Sequence, residues 1–333
     1  MIRFGLISFA HMHADSYAWV LRQIEESTGE ARLVAASDDN HERLREKCSQ
    51  FKIEQVFENY EDLLATDLID AVIISSENSK HEDHVIAAIH AGKHIICEKP
   101  ISISADSIKQ IEAALEQSNQ RVFFQTAFPM RYDATVAEAK KTLDSGTLGA
   151  IKAISATNHG TFPGGWFADH SKSGGGAVMD HTVHVADLIR FFTADEFSTV
   201  RAFKGANLHP NLDVEDNAML YAKLKHSQAP VSIDCSWSRM AGWPIWGDVK
   251  IELICQRGVL KIDCFNPHLD LVSDGKYSWH SMAEDLNQKM ILGFCRSVAS
   301  GLEPTASFHD GAAAASLAFA AYRSLENSDT VLV

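Results

Sequence analysis

Between residue 1 and about residue 127, short apolar runs alternate with amphipathic stretches, and this alternation restricts the fold more than anything else in the chain. Asp70–Ser75 reads Asp-Ala-Val-Ile-Ile-Ser, with no polar interruption inside the run. A strand apolar on both sides must be covered on both faces, as parallel strands are. The same reading gives strands at Ile2–Ser8, Arg32–Ser37, His94–Cys97 and Val122–Phe124. Helices are expected over Asp15–Thr28, Asn40–Gln50, Lys80–Ala91 and Ala105–Gln117, with Gly92 as a stop signal. Repeated strand–helix alternation predicts an α/β fold built on a doubly wound parallel sheet.

The pattern changes near Phe128. A helix is expected over Arg131–Ser145, ending at Gly146, and another over Asp180–Phe192. Strand-type segments then follow one another without helices between them: Ala150–Thr157, Ser198–Phe203, Val214–Leu224, Val231–Trp237, Val249–Ile254 and Gly258–Ile262. Short turns between consecutive strands imply an antiparallel sheet. Helices over Met282–Ser300 and Asp310–Glu326 close the chain. Two domains follow, 1–127 and 128–333, which suits 333 residues of which 46% are hydrophobic.

A net charge of −14 excludes nucleic acid and anionic membranes as expected partners, since both require a basic surface. No apolar run reaches the roughly 18–20 residues that span a bilayer. Met1–Ile7 reads as a first strand rather than a signal sequence, and six cysteines lie scattered without a C-x-x-C pair. Reduced thiols in the cytoplasm are the expectation.

In a doubly wound sheet, ligands bind beyond the carboxyl ends of the strands. The first strand runs into Ser8-Phe9-Ala10-His11-Met12-His13, where a dinucleotide fold normally carries G-x-G-x-x-G. None of the three glycines is present, so this loop by itself argues against that fold. Asp38, after the second strand, is placed to bind an adenine ribose and repel a 2′-phosphate, or simply to cap the next helix. Ser75, Ser76, Asn78 and His81 open the helix after the Asp70–Ser75 strand and suit either a cofactor or an N-cap. Glu98-Lys99-Pro100 follows another buried strand; a lysine there can stabilise a developing alkoxide, whereas most lysines are merely solvated.

A second cluster begins at Gly174-Gly175-Gly176 and runs through Asp180, His181, His184 and Asp187. Asp180 and His184 are four apart and share a helix face. A neutral imidazole there can take a proton beside a carboxylate; a structural polar face is the plainer alternative.

Together, these two clusters resemble the glucose–fructose oxidoreductase / inositol dehydrogenase / rhizopine-catabolism (Gfo/Idh/MocA) family. The resemblance rests on His90-Ala91-Gly92-Lys93-His94-Ile95-Ile96-Cys97-Glu98-Lys99-Pro100, on the Gly-Gly-Gly-x-x-x-Asp-x-x-x-His stretch with Trp166-Phe167 before it, and on Asp144–Gly149. It implies an N-terminal Rossmann-type domain and a C-terminal α/β domain with a large open, mainly antiparallel sheet, through which members dimerise or tetramerise. It also implies NAD or NADP as cofactor, with NAD favoured by the position of Asp38, and a sugar, cyclitol or related polyol as substrate. Lys99, Asp180 and His184 are its implied catalytic residues. Ser8, Phe9, Ala10, His11, Met12, Asp38, Ser75, Ser76, Asn78, His81, Glu98 and Gln125 are its implied cofactor contacts, with no metal. His159, Trp166 and His181 are the expected substrate contacts. The missing glycines depart from the family pattern.

Two other readings remain open at this point. A metal-dependent hydrolase would use His11 and His13 with Asp180, His181 and His184. A sensor on the same fold would bind sugar or nucleotide without turnover.

Overall fold

The computed structural model describes residues 1–243, 247–264, 268–273, 276–281 and 284–333. The chain forms two compact units: Met1–Pro129 with Asp285–Ala312, and Met130–Glu284 with Ala313–Val333.

The first unit contains β1 (Ile2–Ile7), α1 (Ala14–Ser27), β2 (Ala31–Ser37), α2 (His41–Phe51), β3 (Gln55–Phe57), α3 (Tyr60–Leu64), β4 (Ala71–Ile74), α4 (His81–His90), β5 (His94–Cys97), α5 (Ala105–Gln117) and β6 (Phe124–Thr126). Its strands lie in the order β3-β2-β1-β4-β5-β6, every pair parallel. The expected doubly wound sheet is therefore present. Ala71, Val72, Ile73 and Ile74 are all fully buried, as an apolar run between two helix layers requires. The core on one face joins Ile7, Val72, Ile74, Val85, Ile89 and Ile111.

The second unit contains α6 (Ala134–Asp144), β7 (Ile151–Thr161), α7 (His170–Ser173), α8 (Ala177–Thr193), β8 (Phe197–Lys204), β9 (Asn217–Leu224), β10 (Pro230–Arg239), β11 (Gly247–Cys255), β12 (Gly258–Asp263) and a hairpin of β13 (His268–Ser273) and β14 (Lys276–Ser281). After α9 (Leu286–Ser300) and α10 (Phe308–Asn327), the short β15 (Val331–Leu332) closes the chain. The large sheet runs β12-β11-β7-β10-β9-β8-β15 and is antiparallel except between β7 and β10.

Several boundaries differ from expectation for identifiable reasons. A single cut at 127/128 does not describe the chain, because α9 returns to the first unit. Gln125 Nε2 donates to the Met290 carbonyl and Thr126 Oγ1 to that of Ser307. The start expected for that helix, Met282, lies outside the described residues. The expected Arg131 helix begins at Ala134 instead. Asp133 caps it by accepting from the amides of Thr135 and Val136, while Arg131 is drawn into a buried pair with Asp187. The strand expected from Val214 starts at Asn217 because the carboxylates of Glu215 and Asp216 are committed elsewhere. β3 and α3 were not anticipated, being too short to show a period.

Alternate residues of β7 define two faces. Ile154, Ala156, Asn158 and Gly160 are buried. Asn158 and His181 of α8 exchange hydrogen bonds, so α8 covers that face. His159 points to the other face, where Asp248 lies 3.0 Å from its Nδ1 and Asp234 lies 3.2 Å from its Nε2. Burial alone would lower the His159 pKa, but these two carboxylates overcome it and raise the value to about 9. No helix among the described residues is long and apolar enough to cross a membrane.

Two outcomes follow. Arg131 and Asp187 form a bidentate pair with side chains 5% and 1% exposed. Asp187→Ala leaves the guanidinium uncompensated, and urea denaturation should show a loss of about 3–5 kcal/mol. A histidine with a raised folded pKa stabilises fully below its unfolded value, about 6.5, and that contribution is lost as pH rises through the folded one. Between pH 6.5 and about 9, His159→Gln should therefore lose less stability than the wild type; equal slopes in urea melts would contradict this.

Candidate active site

In the first unit, the expected residues gather beyond the carboxyl ends of β1, β2, β4 and β5. β1 is followed by Ser8, which adopts φ 69°, the left-handed conformation that glycine normally supplies. The loop amides are then used internally. Phe9 N donates to Asp38 Oδ2 (2.7 Å), Ala10 N to Ser8 Oγ (3.1 Å), His11 N to the Ser75 carbonyl (2.9 Å) and His13 N to His11 Nδ1 (3.1 Å). Met12 is about half exposed at the turn. The loop is thus built without the glycine fingerprint, on serine, aspartate and histidine acceptors.

Asp38 is 3% exposed and holds more than the sequence suggested. Besides Phe9 N, it accepts from Asn40 N and, in a fork, from Arg43 Nε (2.8 Å) and Nη2 (2.6 Å). Its neighbour Asp39 pairs with Lys80 at 2.5 Å, and Lys80 lies 3.0 Å from Glu77. Asp38, Asp39 and Lys80 border a cleft of about 280 Å³ whose lining also includes Ser8, Ser37, Tyr60 and His84. Burial pushes the His84 pKa down to about 3, so this imidazole is neutral. The acidic lining fits an adenosine carrying free ribose hydroxyls and disfavours a 2′-phosphate.

Ser75 and Ser76 are fully buried, and Asn78 nearly so. Ser75 Oγ donates to the Ser8 carbonyl, and Ser76 Oγ bonds His84 Nδ1. His81 and Gln125 are likewise buried and bonded within the unit. His81 is fully buried, with Nδ1 2.8 Å from the Pro100 carbonyl and Nε2 3.3 Å from that of Ser76. It ties α4 to the segment after Lys99 rather than presenting a free edge to a cofactor. Gln125 is also fully buried, its amide turned to Met290.

Glu98 is the electrostatic centre of this unit. Its carboxylate is 0% exposed, and Oε1 accepts from Tyr17 Oη (2.5 Å) and His13 Nδ1 (2.8 Å), with His11 Nδ1 at 3.8 Å. Burial pushes its pKa up, but His11, His13 and Lys99 outweigh burial and hold it well below the usual carboxylate range. Lys99, 4% exposed, follows directly and its amide donates to Glu98 Oε2. The ligand-type atoms of His11, His13 and Glu98 lie within 4.8 Å of one another, which is the spacing a cation needs. In this arrangement His13 bonds both of the others, its amide donating to His11 Nδ1 and its ring Nδ1 to Glu98 Oε1.

In the second unit, Asp180, His181 and His184 all lie on α8. Trp237 Nε1 donates to Asp180 Oδ2 at 3.1 Å, and His181 Nε2 lies 3.3 Å from the same oxygen. His181 is fully buried, with Nδ1 on the Asn158 carbonyl, so it supports Asp180 rather than reaching substrate. His184 is one turn further on and partly exposed. Trp166 stacks on Phe167 at 3.9 Å and packs against the cluster of Phe167, Ala177, Val214 and Trp237. That cluster includes the tryptophan bonded to Asp180. His159 sits on the opposite sheet face from α8, so its expected substrate role does not fit this unit.

The start of α8 is fixed by Glu215, Tyr322 and Trp237, which sequence reasoning missed. Glu215 Oε1 accepts from Gly176 N (3.1 Å), Val178 N (2.9 Å) and Tyr322 Oη (2.8 Å). A Cβ on Gly176 would fall 1.7 Å from the Glu215 carbonyl oxygen, so glycine alone permits this approach. Glu215 lies far away in sequence without a motif; Trp237 carried the weak signal of an inward position on β10.

Residues 5–126 match the oxidoreductase family with an NAD-binding Rossmann fold, and residues 136–261 match the Gfo/Idh/MocA C-terminal domain. The chain is 28% identical to a myo-inositol 2-dehydrogenase of Thermotoga maritima, over 98% of this chain and 96% of that protein. A probable dehydrogenase from Thermotoga maritima superposes with TM-score 0.84 at 25% identity, covering 99% of this chain and 98% of that one. Levoglucosan dehydrogenase in complex with NADH and L-sorbose shares the fold, with TM-score 0.84 at 23% identity over 100% and 98% of the two chains. With both segments matched and the parallel sheet, Glu98-Lys99-Pro100 and α8 in place, the chain belongs to the Gfo/Idh/MocA family of NAD-binding oxidoreductases.

Proposed function

We propose that the protein is an NAD-dependent dehydrogenase that oxidises or forms a secondary alcohol of a sugar, cyclitol or related polyol. The observation carrying this reading is Lys99, a lysine 4% exposed beside a fully buried carboxylate at the carboxyl end of β5. Burying a cation requires a purpose or a partner, and here it stands where the sheet presents ligands. The relatives support the substrate class: myo-inositol 2-dehydrogenase and the 1,5-anhydro-D-fructose reductase of Ensifer adhaerens act on ring polyols or their ketones, as their names state.

A nicotinamide bound in the first unit would supply the hydride acceptor or donor. Lys99 donates to the reacting oxygen and stabilises negative charge on it. His184 takes the hydroxyl proton on an imidazole nitrogen, and Asp180, held by Trp237, orients substrate on the same helix face. Asp38 and the acidic cleft select NAD over NADP. Trp166 covers the apolar face of the sugar ring. A cytoplasmic setting suits six free, buried cysteines. Exposed Phe203, Met219 and Tyr221 on the outer sheet face suit pairing of identical subunits, as a dimer or tetramer.

Two measurements test the reading. Lys99→Ala and His184→Ala should each lower polyol-dependent NAD reduction by about 10²–10⁴-fold with unchanged circular dichroism; near-normal turnover in both sinks the assignment. Fluorescence titration should give tighter binding of NADH than NADPH. Asp38→Ala should narrow that gap, and a preference for NADPH would reverse the cofactor assignment.

A further inference from the structure

α8 starts without a cap of its own. Gly176 stands at its N-cap and has no side chain to offer, while the first amides of a helix find no acceptor within it. The acceptor comes from 39 positions further along the chain. Glu215 Oε1 takes Gly176 N (3.1 Å) and Val178 N (2.9 Å), and the Glu215 carbonyl takes Ala177 N (2.9 Å). Tyr322 Oη joins them, donating to Glu215 Oε1 (2.8 Å) and accepting from Gly176 N (3.1 Å). A Cβ on Gly175 would fall 1.9 Å from that hydroxyl, so the glycine run is what admits the clamp.

The bonds continue into a closed circuit. The Gly176 carbonyl accepts from Asp180 N (3.0 Å), and Asp180 Oδ2 accepts from Trp237 Nε1 (3.1 Å). The Trp237 amide in turn donates to the carbonyl of Asp216 (2.8 Å), the residue after Glu215. Trp237 is fully buried and packs with Ala177 and Val214. Residues 214–216 therefore hold both the helix that carries Asp180 and the indole that bonds it. We infer that Glu215 is a positioning residue for the reaction: as an acceptor supplied from outside the helix, it sets the place of the Asp180 carboxylate. The inference rests on the reading above in which Asp180 orients substrate, and assigns what orients Asp180.

Two readouts test it, one of them independent of turnover. The first is the indole N–H resonance of Trp237 in ¹H–¹⁵N spectra, identified by its loss in Trp237→Phe; a bonded carboxylate moves it downfield. Glu215→Ala should return it toward the position of a free indole, and Glu215→Gln, which keeps the Oε1 acceptor, should leave it in place. The second is steady-state oxidation of myo-inositol and levoglucosan with NAD. Glu215→Ala should lower kcat by about 10- to 100-fold, and Glu215→Gln should stay within about threefold of the wild type. NADH affinity by fluorescence should stay within about twofold in both, since the clamp lies wholly in the second unit. An unmoved indole resonance in Glu215→Ala, a glutamine variant as impaired as the alanine one, or a lowered stability with unchanged kcat overturns the inference. Should Glu215→Ala not fold, Tyr322→Phe decides, because it removes one donor to Glu215 and one acceptor for Gly176: the same resonance should move and kcat should fall severalfold, and an unmoved resonance overturns the inference. If the wild type oxidises neither polyol, it is the polyol reading that fails, while the indole signal still decides whether Glu215 places Asp180.

Discussion

A buried negative charge organises the cofactor-binding unit. Moving a lone carboxylate out of water costs several kcal/mol even after relaxation, so Glu98 at full burial dictates its surroundings. Tyr17 and His13 donate to one oxygen, the Lys99 amide to the other, and His11 completes the electrostatic shell. Those partners come from α1, the loop before it and the end of β5. Satisfying one carboxylate therefore fixes the β1–α1 turn, the start of a helix and the placement of Lys99 together.

Asp38 provides a second anchor for the same loop. Phe9 N and the Arg43 fork share its two oxygens, so the turn is held at both edges by carboxylates rather than by glycine geometry. Ser8 accepts a left-handed φ within that frame. A loop of ordinary residues can thus take a conformation that a glycine-rich loop reaches without help, provided the neighbouring side chains over-determine it.

In the other unit, α8 is set from three directions. Glu215 with Tyr322 holds its first amides, Trp237 holds Asp180, and Asn158 holds His181. Further along, Asp187 is locked to Arg131. His184 is therefore presented on a helix with little freedom to rotate, which suits the proton-exchanging role proposed for it.

Much of this was legible in the residues. Val72–Ile74 could only be a strand covered on both faces, and Asp180 with His184 could only share a helix face, because periodicity follows from local backbone geometry. Glu98-Lys99-Pro100 stood out because charge rarely follows a buried strand. What the sequence determined by itself was thus the parallel sheet, the change to a mainly antiparallel one and the residue types at the ends of β5 and the start of α8. Tertiary structure alone decided which polar groups are consumed: His81 by Pro100, Gln125 by Met290, His181 by Asn158, and His159 on the far face of its sheet. It alone returned α9 to the first unit and paired Glu215 with Gly176. The physical reason is that a hydrogen bond between residues 23, 39 or 165 positions apart leaves no periodic trace; the partner is chosen by how the elements pack, not by the neighbours in the chain.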